Sequence, residues 1–222
     1  MNTMKIQFLG EGNLLIEEAM KSLRTNLQFC GSDTRVIEVT AYGENEGKTT
    51  ISARIAKSFA ELGHRVLLID ADMRKSVLAG RNTTAKPQKG LSEVLSGLAT
   101  LEECLWQSEE EPLHVLFSGT YPPNPVELLN TPAFKELVET ARQTYDYVVI
   151  DTPPLGIVID AAVIASVCDG SILIIGDDKL KYRQVEGALE QLRKSGCRIL
   201  GVVRNKCVQS KHGYHYTYRE KK

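Results

Sequence analysis

Short apolar runs alternate with segments of helical periodicity along most of the chain. The runs are short, rich in β-branched residues and nearly uninterrupted, which is typical of parallel strands that helices cover on both faces. We therefore predict buried strands at RVIEVTA (35–41), RVLLID (65–70), LHVLFSG (113–119), DYVVID (146–151), GSILIIG (170–176) and RILGVV (198–203).

Three segments between these runs have the apolar spacing of helices, at 48–63, 131–145 and 184–196. Two of them end at a glycine, a residue that commonly terminates a helix. Repeated alternation of strand and helix predicts an α/β fold, with a doubly wound, mostly parallel sheet flanked by helices. Ligands bind such sheets beyond the carboxyl ends of the strands.

Three segments lie outside this alternating core: an N-terminal helix at about 13–29, a loop-rich stretch at 73–90, and a tail. We interpret residues 1–206 as one domain and residues 207–222 as a flexible tail, since glycine, histidine and polar residues dominate its end. The formal net charge of −1 argues against broad binding to nucleic acid or anionic lipid.

Cellular location is predicted from what the sequence lacks. No stretch approaches the roughly 18 apolar residues of a membrane span, and the first residues have no apolar run like that of a signal peptide. The five cysteines include no C-x-x-C pair, which disfavours a metal cluster or a disulfide framework. We expect a cytoplasmic protein that another protein must recruit if it acts at a membrane.

A phosphate-binding loop follows the first predicted strand. The segment AYGENEGKTT ends with the G-K-T of the pattern G-x-x-x-x-G-K-[ST], and a helix begins there. In such loops backbone N–H groups bind phosphates, the lysine reaches the β and γ phosphate oxygens, and the hydroxyl binds Mg²⁺. We therefore predict that ATP and Mg²⁺ bind Gly43, Glu44, Asn45, Glu46, Gly47, Lys48, Thr49 and Thr50.

The loop departs from the usual pattern at two positions. Tyr42 stands where the pattern has glycine, and Gly43 follows one residue late. Asn45 stands where a tight loop often has another glycine, although asparagine adopts the left-handed conformation more readily than most residues. The alternative is a surface turn that reads G-K-T by coincidence. The strand before it, the helix after it and the acidic motifs downstream argue against that alternative.

Two apolar strands of this chain end in carboxylates. Asp70 ends one strand, with Asp72 two residues later, and Asp151 ends another. Parallel strands end at the same edge of a sheet, so all three acids are expected near Lys48. Magnesium bound to phosphates needs one or two carboxylates, and we assign it to Thr49, Asp72 and Asp151. Asp70 is then left to accept a proton from an attacking hydroxyl. The number of acids allows a kinase or a hydrolase.

The tail HGYHYTYREKK carries Tyr214, Tyr216 and Tyr218 at alternate positions. The last predicted strand delivers this tail to the nucleotide side of the sheet. The eleven residues from Asn205 to Tyr216 span at most about 35–40 Å, enough to reach the chain's own phosphate site or a neighbour's. An edge strand with its tyrosines on one face is an alternative.

Several segments together resemble the bacterial tyrosine kinase family of capsule and exopolysaccharide synthesis: SLRTNLQF, GKTT, VLLIDADMRKS, PPNPVELL and YDYVVIDTPPLGIVIDA, followed by the tyrosine-bearing tail. The resemblance runs from about residue 14 to residue 218. It implies a P-loop fold and an ATP-dependent protein-tyrosine kinase that phosphorylates tail tyrosines of its neighbours in a ring.

The resemblance also implies roles by position. Lys48 and Thr49 become the Walker A lysine and hydroxyl, Asp70 and Asp72 the acids of the A′ motif, and Asp151 the Walker B acid near magnesium. Catalysis is thereby assigned to Asp70 as the base, with Lys48 and Asp72. The resemblance also implies that the three tail tyrosines are phosphorylated and that Asn205 contacts the adenine.

The family's ring contact, E-x-x-R-x-x-R, corresponds to Glu18, Lys21 and Arg24, which share one helix face by their spacing. Lysine lacks the planar fork of arginine, which predicts weaker assembly. An ordinary solvated charged face is the alternative. Ser76 stands where the family more often has proline. Gly176, with two aspartates after it, replaces an arginine-containing turn.

The resemblance further implies partners: a membrane polysaccharide chain-length regulator as activator at the inner face of the cell membrane, sugar-nucleotide enzymes as substrates, and a cognate phosphatase. A second function remains open, an ATP-gated assembly ATPase of the polysaccharide machinery with little phosphotransfer. Partitioning and division-site ATPases are a competing resemblance, but their lysine near the start of the loop corresponds to Gly43 here.

Overall fold

A single sheet of eight strands organises the computed structural model, which describes residues 2–7, 12–176 and 182–207. The strands are β1 (Asn2–Met4), β2 (Val36–Ala41), β3 (Val66–Asp70), β4 (Leu105–Ser108), β5 (Leu113–Leu116), β6 (Tyr147–Asp151), β7 (Gly170–Ile175) and β8 (Ile199–Arg204). Their order across the sheet is β1-β4-β5-β3-β6-β2-β7-β8. Every neighbouring pair is parallel except the hairpin of β4 and β5. The predicted doubly wound, mostly parallel sheet is confirmed.

The described helices are α1 (Leu14–Gln28), α2 (Lys48–Ala60), α3 (Leu78–Asn82), α4 (Leu91–Leu95), α5 (Leu101–Cys104), α6 (Pro125–Leu129), α7 (Pro132–Thr144), α8 (Asp160–Ala165) and α9 (Tyr182–Lys194). Helices α1, α2, α7 and α9 confirm the four predicted ones. The other helices have four to six residues, too few for a helical period to show in the sequence. No helix in the described part of the chain has the length and apolar character needed to cross a membrane.

Both faces of the sheet are buried, because successive residues of a strand point to opposite sides. On one face Ile37 and Val39 of β2 pack with Ile55 and Phe59 of α2. On the other face the neighbouring residues of β3 and β6 pack with α7 and α8. Each such fully buried side chain contributes about 1.5–3 kcal/mol, so the central strands are held firmly from both sides.

The central strands position the prospective site. Strands β2, β6 and β3 are adjacent, and their carboxyl ends carry the G-K-T loop, Asp151 and Asp70. The register pairs Asp70 with Asp151 across β3 and β6, and Asp151 with Val39 of β2. The strand order therefore brings together residues that are about 100 positions apart in the chain.

A buried acid lies in the middle of β2. Glu38 has no exposed surface. Ser171, its partner on β7, donates a hydrogen bond to Oε2, whereas Oε1 has no hydrogen-bond partner among the described residues. Burial raises the pKa of Glu38 to about 8, because the charged carboxylate would lose its hydration there. Glu38 is therefore mostly protonated in the folded protein at neutral pH.

Replacing Glu38 with glutamine is expected to weaken the pH dependence of stability. In the unfolded chain this acid titrates near 4.5. Between about pH 5 and pH 8 the folded state then holds one more proton, and wild-type stability falls by up to about 1.4 kcal/mol per pH unit as the pH rises. Glu38→Gln is neutral throughout and lacks this contribution.

Urea unfolding of both proteins at pH 5, 6, 7 and 8 measures the effect as the difference between their free energies of unfolding. The free energy of unfolding of Glu38→Gln, relative to that of the wild type, is expected to increase steadily as the pH rises. A constant difference across that range would contradict the assignment of a protonated Glu38.

Candidate active site

The loop between β2 and α2 wraps around the N-terminus of α2. Gly47 directly precedes the helix with φ of 92°, and Asn45 has φ of 60°. Both conformations are left-handed, so the expectation that asparagine supplies such a conformation here is confirmed. The first backbone N–H groups of α2 have no partners within the helix, and such groups, with the helix dipole, favour a phosphate.

Glycines outside the loop accommodate the side chains of Tyr42 and Glu46. Tyr42 packs on Gly156, whose N–H donates to the Tyr42 carbonyl at 2.9 Å, and a Cβ at that glycine would lie 2.8 Å from the ring. Glu46 lies against Gly176, where a Cβ would approach it to 3.3 Å. Its Oε1 accepts the N–H of Gly43 at 3.1 Å and closes the loop. The departure at Tyr42 is thus accommodated by packing against Gly156.

Lys48 lies between two carboxylates. Its Nζ is 2.9 Å from Oδ2 of Asp72, 4.0 Å from Oδ2 of Asp151 and 3.4 Å from Oγ1 of Thr49. Burial lowers the pKa of Lys48, but the charges of Asp151 and Asp72 outweigh burial and raise this pKa overall. The lysine is therefore held in its charged form, and the predicted meeting of these residues at one sheet edge is found.

Asp151 is fully buried at the end of β6. Ser52 donates a hydrogen bond of 2.9 Å to its Oδ1, whereas Oδ2 accepts no hydrogen bond from the described residues. Burial raises the pKa of Asp151. A buried carboxylate oxygen without a donor, close to the hydroxyl of Thr49, fits a divalent cation, which prefers oxygen ligands. Sequence analysis missed Ser52, although its position one helical turn after Lys48 places both on the same face of α2.

Asp72 is engaged on both oxygens. Besides the contact of Oδ2 with Lys48, its Oδ1 accepts the N–H groups of Arg74 at 3.3 Å and Lys75 at 3.0 Å. These bonds form a tight turn directly after β3. Asp72 is therefore fixed at the edge of the site assigned to magnesium.

Asp70, which the sequence analysis left free of metal and available to accept a proton, is enclosed in the structure. It has no exposed surface, its Oδ1 accepts the N–H of Asp72 at 3.2 Å, and its Oδ2 accepts a short hydrogen bond from the hydroxyl of Ser76. Burial, followed by the charge of Asp151, raises the pKa of Asp70 to about 8. The acid is enclosed because the turn after β3 folds back over its carboxylate.

The pocket beside the N-terminus of α2 has two ion pairs that sequence analysis missed. Arg74 contacts the buried carboxylate of Asp160 through two hydrogen bonds, of 2.8 and 3.0 Å. Lys75 lies 3.0 Å from Glu44 of the loop. Described residues that line this pocket come from the loop, from the turn after β3 and from the segment after β6: Glu44, Asn45, Gly47, Lys48, Thr49, Thr50, Asp72, Arg74, Lys75, Val77, Arg81, Pro153, Pro154, Ile157 and Val158.

Asn205, at the end of β8, contacts the loop directly. Its Nδ2 donates to the carbonyl of Glu46 at 2.8 Å, and a Cβ on Gly47 would lie 2.1 Å from the same nitrogen. Lys206 donates to the carbonyl of Asn45. The adenine contact of Asn205 remains a prediction. The phosphorylation sites Tyr214, Tyr216 and Tyr218, and the turn residues Asp177 and Asp178, lie outside the described residues.

The residues assigned to ring contact occupy one side of α1. Glu18 and Lys21 form an exposed ion pair of 2.8 Å. Arg24 instead donates to the carbonyl of Ser58 on α2 at 2.7 Å. One of the three therefore attaches α1 to its own domain, and a role of the set in assembly remains a prediction.

Three comparisons place the chain among known proteins. A family model described as an AAA domain matches residues 34–195. Tyrosine-protein kinase CpsD of Streptococcus agalactiae is 42% identical over 194 residues, which cover 87% of this chain and 85% of that protein.

Two solved structures have a similar fold. The chimerical protein CapA2B2 superposes with a TM-score of 0.84 at 29% identity, covering 94% of each chain. The kinase domain of the Escherichia coli tyrosine kinase ETK gives a TM-score of 0.81 at 31% identity, covering 90% of this chain and 80% of that one.

Replacing Asn205 with alanine is expected to weaken Mg²⁺–ATP binding by about two- to tenfold, since one hydrogen bond to the loop contributes about 0.5–1.5 kcal/mol. Isothermal titration calorimetry measures the dissociation constant. Asn130→Ala, at an exposed position after α6, is the matched control and should bind like the wild type. Equal affinity in all three proteins would show that Asn205 does not support the loop.

Proposed function

The chain belongs to the bacterial tyrosine kinase family of capsule and exopolysaccharide synthesis, and we propose that it phosphorylates its own C-terminal tail. The acceptors are Tyr214, Tyr216 and Tyr218, with ATP as phosphoryl donor. The observation that carries this proposal is the charged Lys48 at the start of α2, held 2.9 Å from Asp72 and 4.0 Å from Asp151, next to the buried Asp70.

The phosphates of ATP bind at the N-terminus of α2. Lys48 brings positive charge to the β and γ phosphate oxygens, and the surrounding carboxylates keep it protonated. Thr49, Asp72 and Asp151 would hold Mg²⁺, and the buried Oδ2 of Asp151 supports this assignment. Magnesium, when bound, supplies charge that offsets the negative charge developing on the phosphates.

Asp70 serves as the general base. The tyrosine oxygen forms a bond to the γ phosphorus while the bond from this phosphorus to the bridging oxygen breaks, and ADP leaves. The phenol proton ends on Asp70. Burial and the charge of Asp151 raise the pKa of Asp70 to about 8, and only the ionised carboxylate can accept the proton, so the rate is expected to rise as the pH approaches 8.

The tail leaves the domain next to the phosphate loop, because Asn205 contacts Glu46 of that loop. This position supports delivery of the tail tyrosines to a nucleotide site. We propose that the acceptor site belongs to a neighbour in a homo-oligomeric ring, with Glu18, Lys21 and Arg24 at the contact. The family resemblance is the reason to assign the acceptor site to a neighbour, because the tail is long enough to reach either its own phosphate site or a neighbour's.

Partners follow from the same family. We propose a membrane-embedded polysaccharide chain-length regulator that recruits the kinase to the inner face of the cell membrane and activates it. Sugar-nucleotide enzymes are proposed as further substrates and a cognate phosphatase as the enzyme that reverses phosphorylation. The second candidate function, an ATP-gated assembly ATPase, is favoured by the enclosure of Asp70, which separates the base from incoming phenols.

Incubation of the protein with ATP and Mg²⁺, followed by mapping of phosphate by mass spectrometry, is expected to place phosphate on the three tail tyrosines. Lys48→Met and Asp70→Asn should each lower the rate by about 100-fold or more, since general base catalysis and phosphate charge stabilisation each contribute at least this much. Lys135→Met, at an exposed position of α7, is the control and should keep wild-type activity.

ADP formation without phosphotyrosine, in the presence of the membrane regulator's cytoplasmic segment, would contradict the kinase and support the ATP-gated assembly. If Asp70→Asn still forms phosphotyrosine at the wild-type rate, Asp70 is not the base, but the proposal that the protein is a kinase still holds.

Phosphorylation of the tail is expected to loosen the ring. Each phosphate adds about −1.5 to −2 charge at neutral pH, so the basic tail becomes strongly acidic. Sedimentation velocity with ATP compares the phosphorylated protein with a variant in which the three tail tyrosines are phenylalanine. The phosphorylated protein should have the smaller assembly mass, and equal masses would contradict this effect.

A further inference from the structure

One part of the nucleotide pocket is apolar. Besides Lys48 and the phosphate loop, the described residues that line the pocket include three with branched aliphatic side chains, Val77, Ile157 and Val158 (the aliphatic wall). Ile157 is 58% exposed, and the two valines are half-buried. A triphosphate and its magnesium bind charged and polar groups, so the aliphatic wall is left for another part of a bound molecule.

Backbone hydrogen bonds hold the turn that carries Ile157 against the phosphate loop. The N–H of Leu155 donates to the carbonyl of Ala41 at 2.8 Å, and the N–H of Gly156 donates to the carbonyl of Tyr42 at 2.9 Å. The side chain of Leu155 is buried, which anchors the turn from the inside. Since Ala41 and Tyr42 lead directly into the loop, Ile157 has a fixed position beside the phosphate site.

The strand order separates the aliphatic wall from the predicted adenine contact. Ile157 and Val158 follow β6 and Val77 follows β3, whereas Asn205 follows β8. Strands β6 and β3 lie on one side of β2, and β7 and β8 lie on the other. With the phosphates at the loop after β2 and the base toward Asn205, the base and the aliphatic wall lie on opposite sides of the phosphates. The aliphatic wall is thereby left for the acceptor.

A tyrosine side chain matches both parts of this pocket. Its ring is a large apolar surface, and its hydroxyl is a polar group at the far end. Covering the exposed Ile157 with the ring removes apolar surface of both groups from water, which is favourable. Serine and threonine offer a hydroxyl without a ring, and they would leave the aliphatic wall uncovered.

We propose that Ile157, with Val77 and Val158, forms the subsite that binds the ring of the acceptor tyrosine while its hydroxyl faces the γ phosphate. This inference rests on the proposed kinase function and adds to it the residues that bind the acceptor. The ring contact is made before and during phosphoryl transfer, so its loss acts on the KM for the acceptor and not on kcat.

The test measures phosphorylation of full-length Lys48→Met protein, which supplies the acceptor tail, by full-length enzymes whose own three tail tyrosines are replaced by alanine. Ile157→Ser is expected to raise the KM for the acceptor by about tenfold, the lower end of what apolar pocket contacts contribute to discrimination. The KM for ATP should stay within about twofold. Ile157→Leu keeps an aliphatic side chain and should keep the KM for the acceptor within about threefold.

Ile159→Ser is the matched control. Ile159 is 65% exposed, lies two residues after Ile157 and is not among the described residues that line the nucleotide pocket. This variant should have the KM values of the enzyme with the unchanged pocket. The melting temperature checks that each variant is folded, which is expected because both isoleucines are exposed.

An unchanged KM for the acceptor in Ile157→Ser would overturn the subsite and leave the kinase intact. A raised KM for ATP with an unchanged KM for the acceptor would also overturn it, because the aliphatic wall would then bind the base. An equal rise in Ile159→Ser would overturn it as well, since the effect would belong to the apolar surface in general. Absence of phosphotyrosine with the unchanged pocket would instead overturn the proposed function itself.

Discussion

The contact of Lys48 with Asp72 and Asp151 is the interaction on which the site depends. Adjacent parallel strands end at one edge, so the fold concentrates buried carboxylates where repulsion is strong and hydration is lost. The lysine ammonium offsets part of this repulsion, and it is also the group that a phosphate attracts. The same charge balance therefore stabilises the apo domain and prepares it for a magnesium-bound nucleotide.

Asp70 shows how the fold handles the remaining negative charge. Since burial and then the charge of Asp151 raise the pKa of Asp70 to about 8, this acid is largely neutral when the site is empty, and the hydroxyl of Ser76 donates a hydrogen bond to its Oδ2. A buried acid of this kind exchanges protons near neutral pH. The burial that limits charge repulsion in the resting domain therefore also makes the ionised, proton-accepting form of Asp70 the minority form at neutral pH.

Much of the fold was predictable because long apolar strands and helices have clear periods, and because G-K-T and the strand-end aspartates fix the site's position. Strands β1 and β4 have three or four residues and lie at one side of the sheet, so their pattern is weak. The partners of Asp70, Asp151 and Tyr42 depend on how short turns pack after folding. The sequence identified Asp70 as an acid free to accept a proton, but spacing alone does not show that the turn after β3 covers it.

The most direct test is a crystal structure of the full-length protein with Mg²⁺ and a non-hydrolysable ATP analogue. The account predicts phosphates at the N-terminus of α2, Nζ of Lys48 within hydrogen-bond distance of a phosphate oxygen, and Mg²⁺ about 2.0–2.1 Å from its oxygen ligands, with Thr49 and an aspartate of the site among its partners. A nucleotide bound elsewhere, or phosphates that leave Lys48 bonded to Asp72 alone, would contradict it.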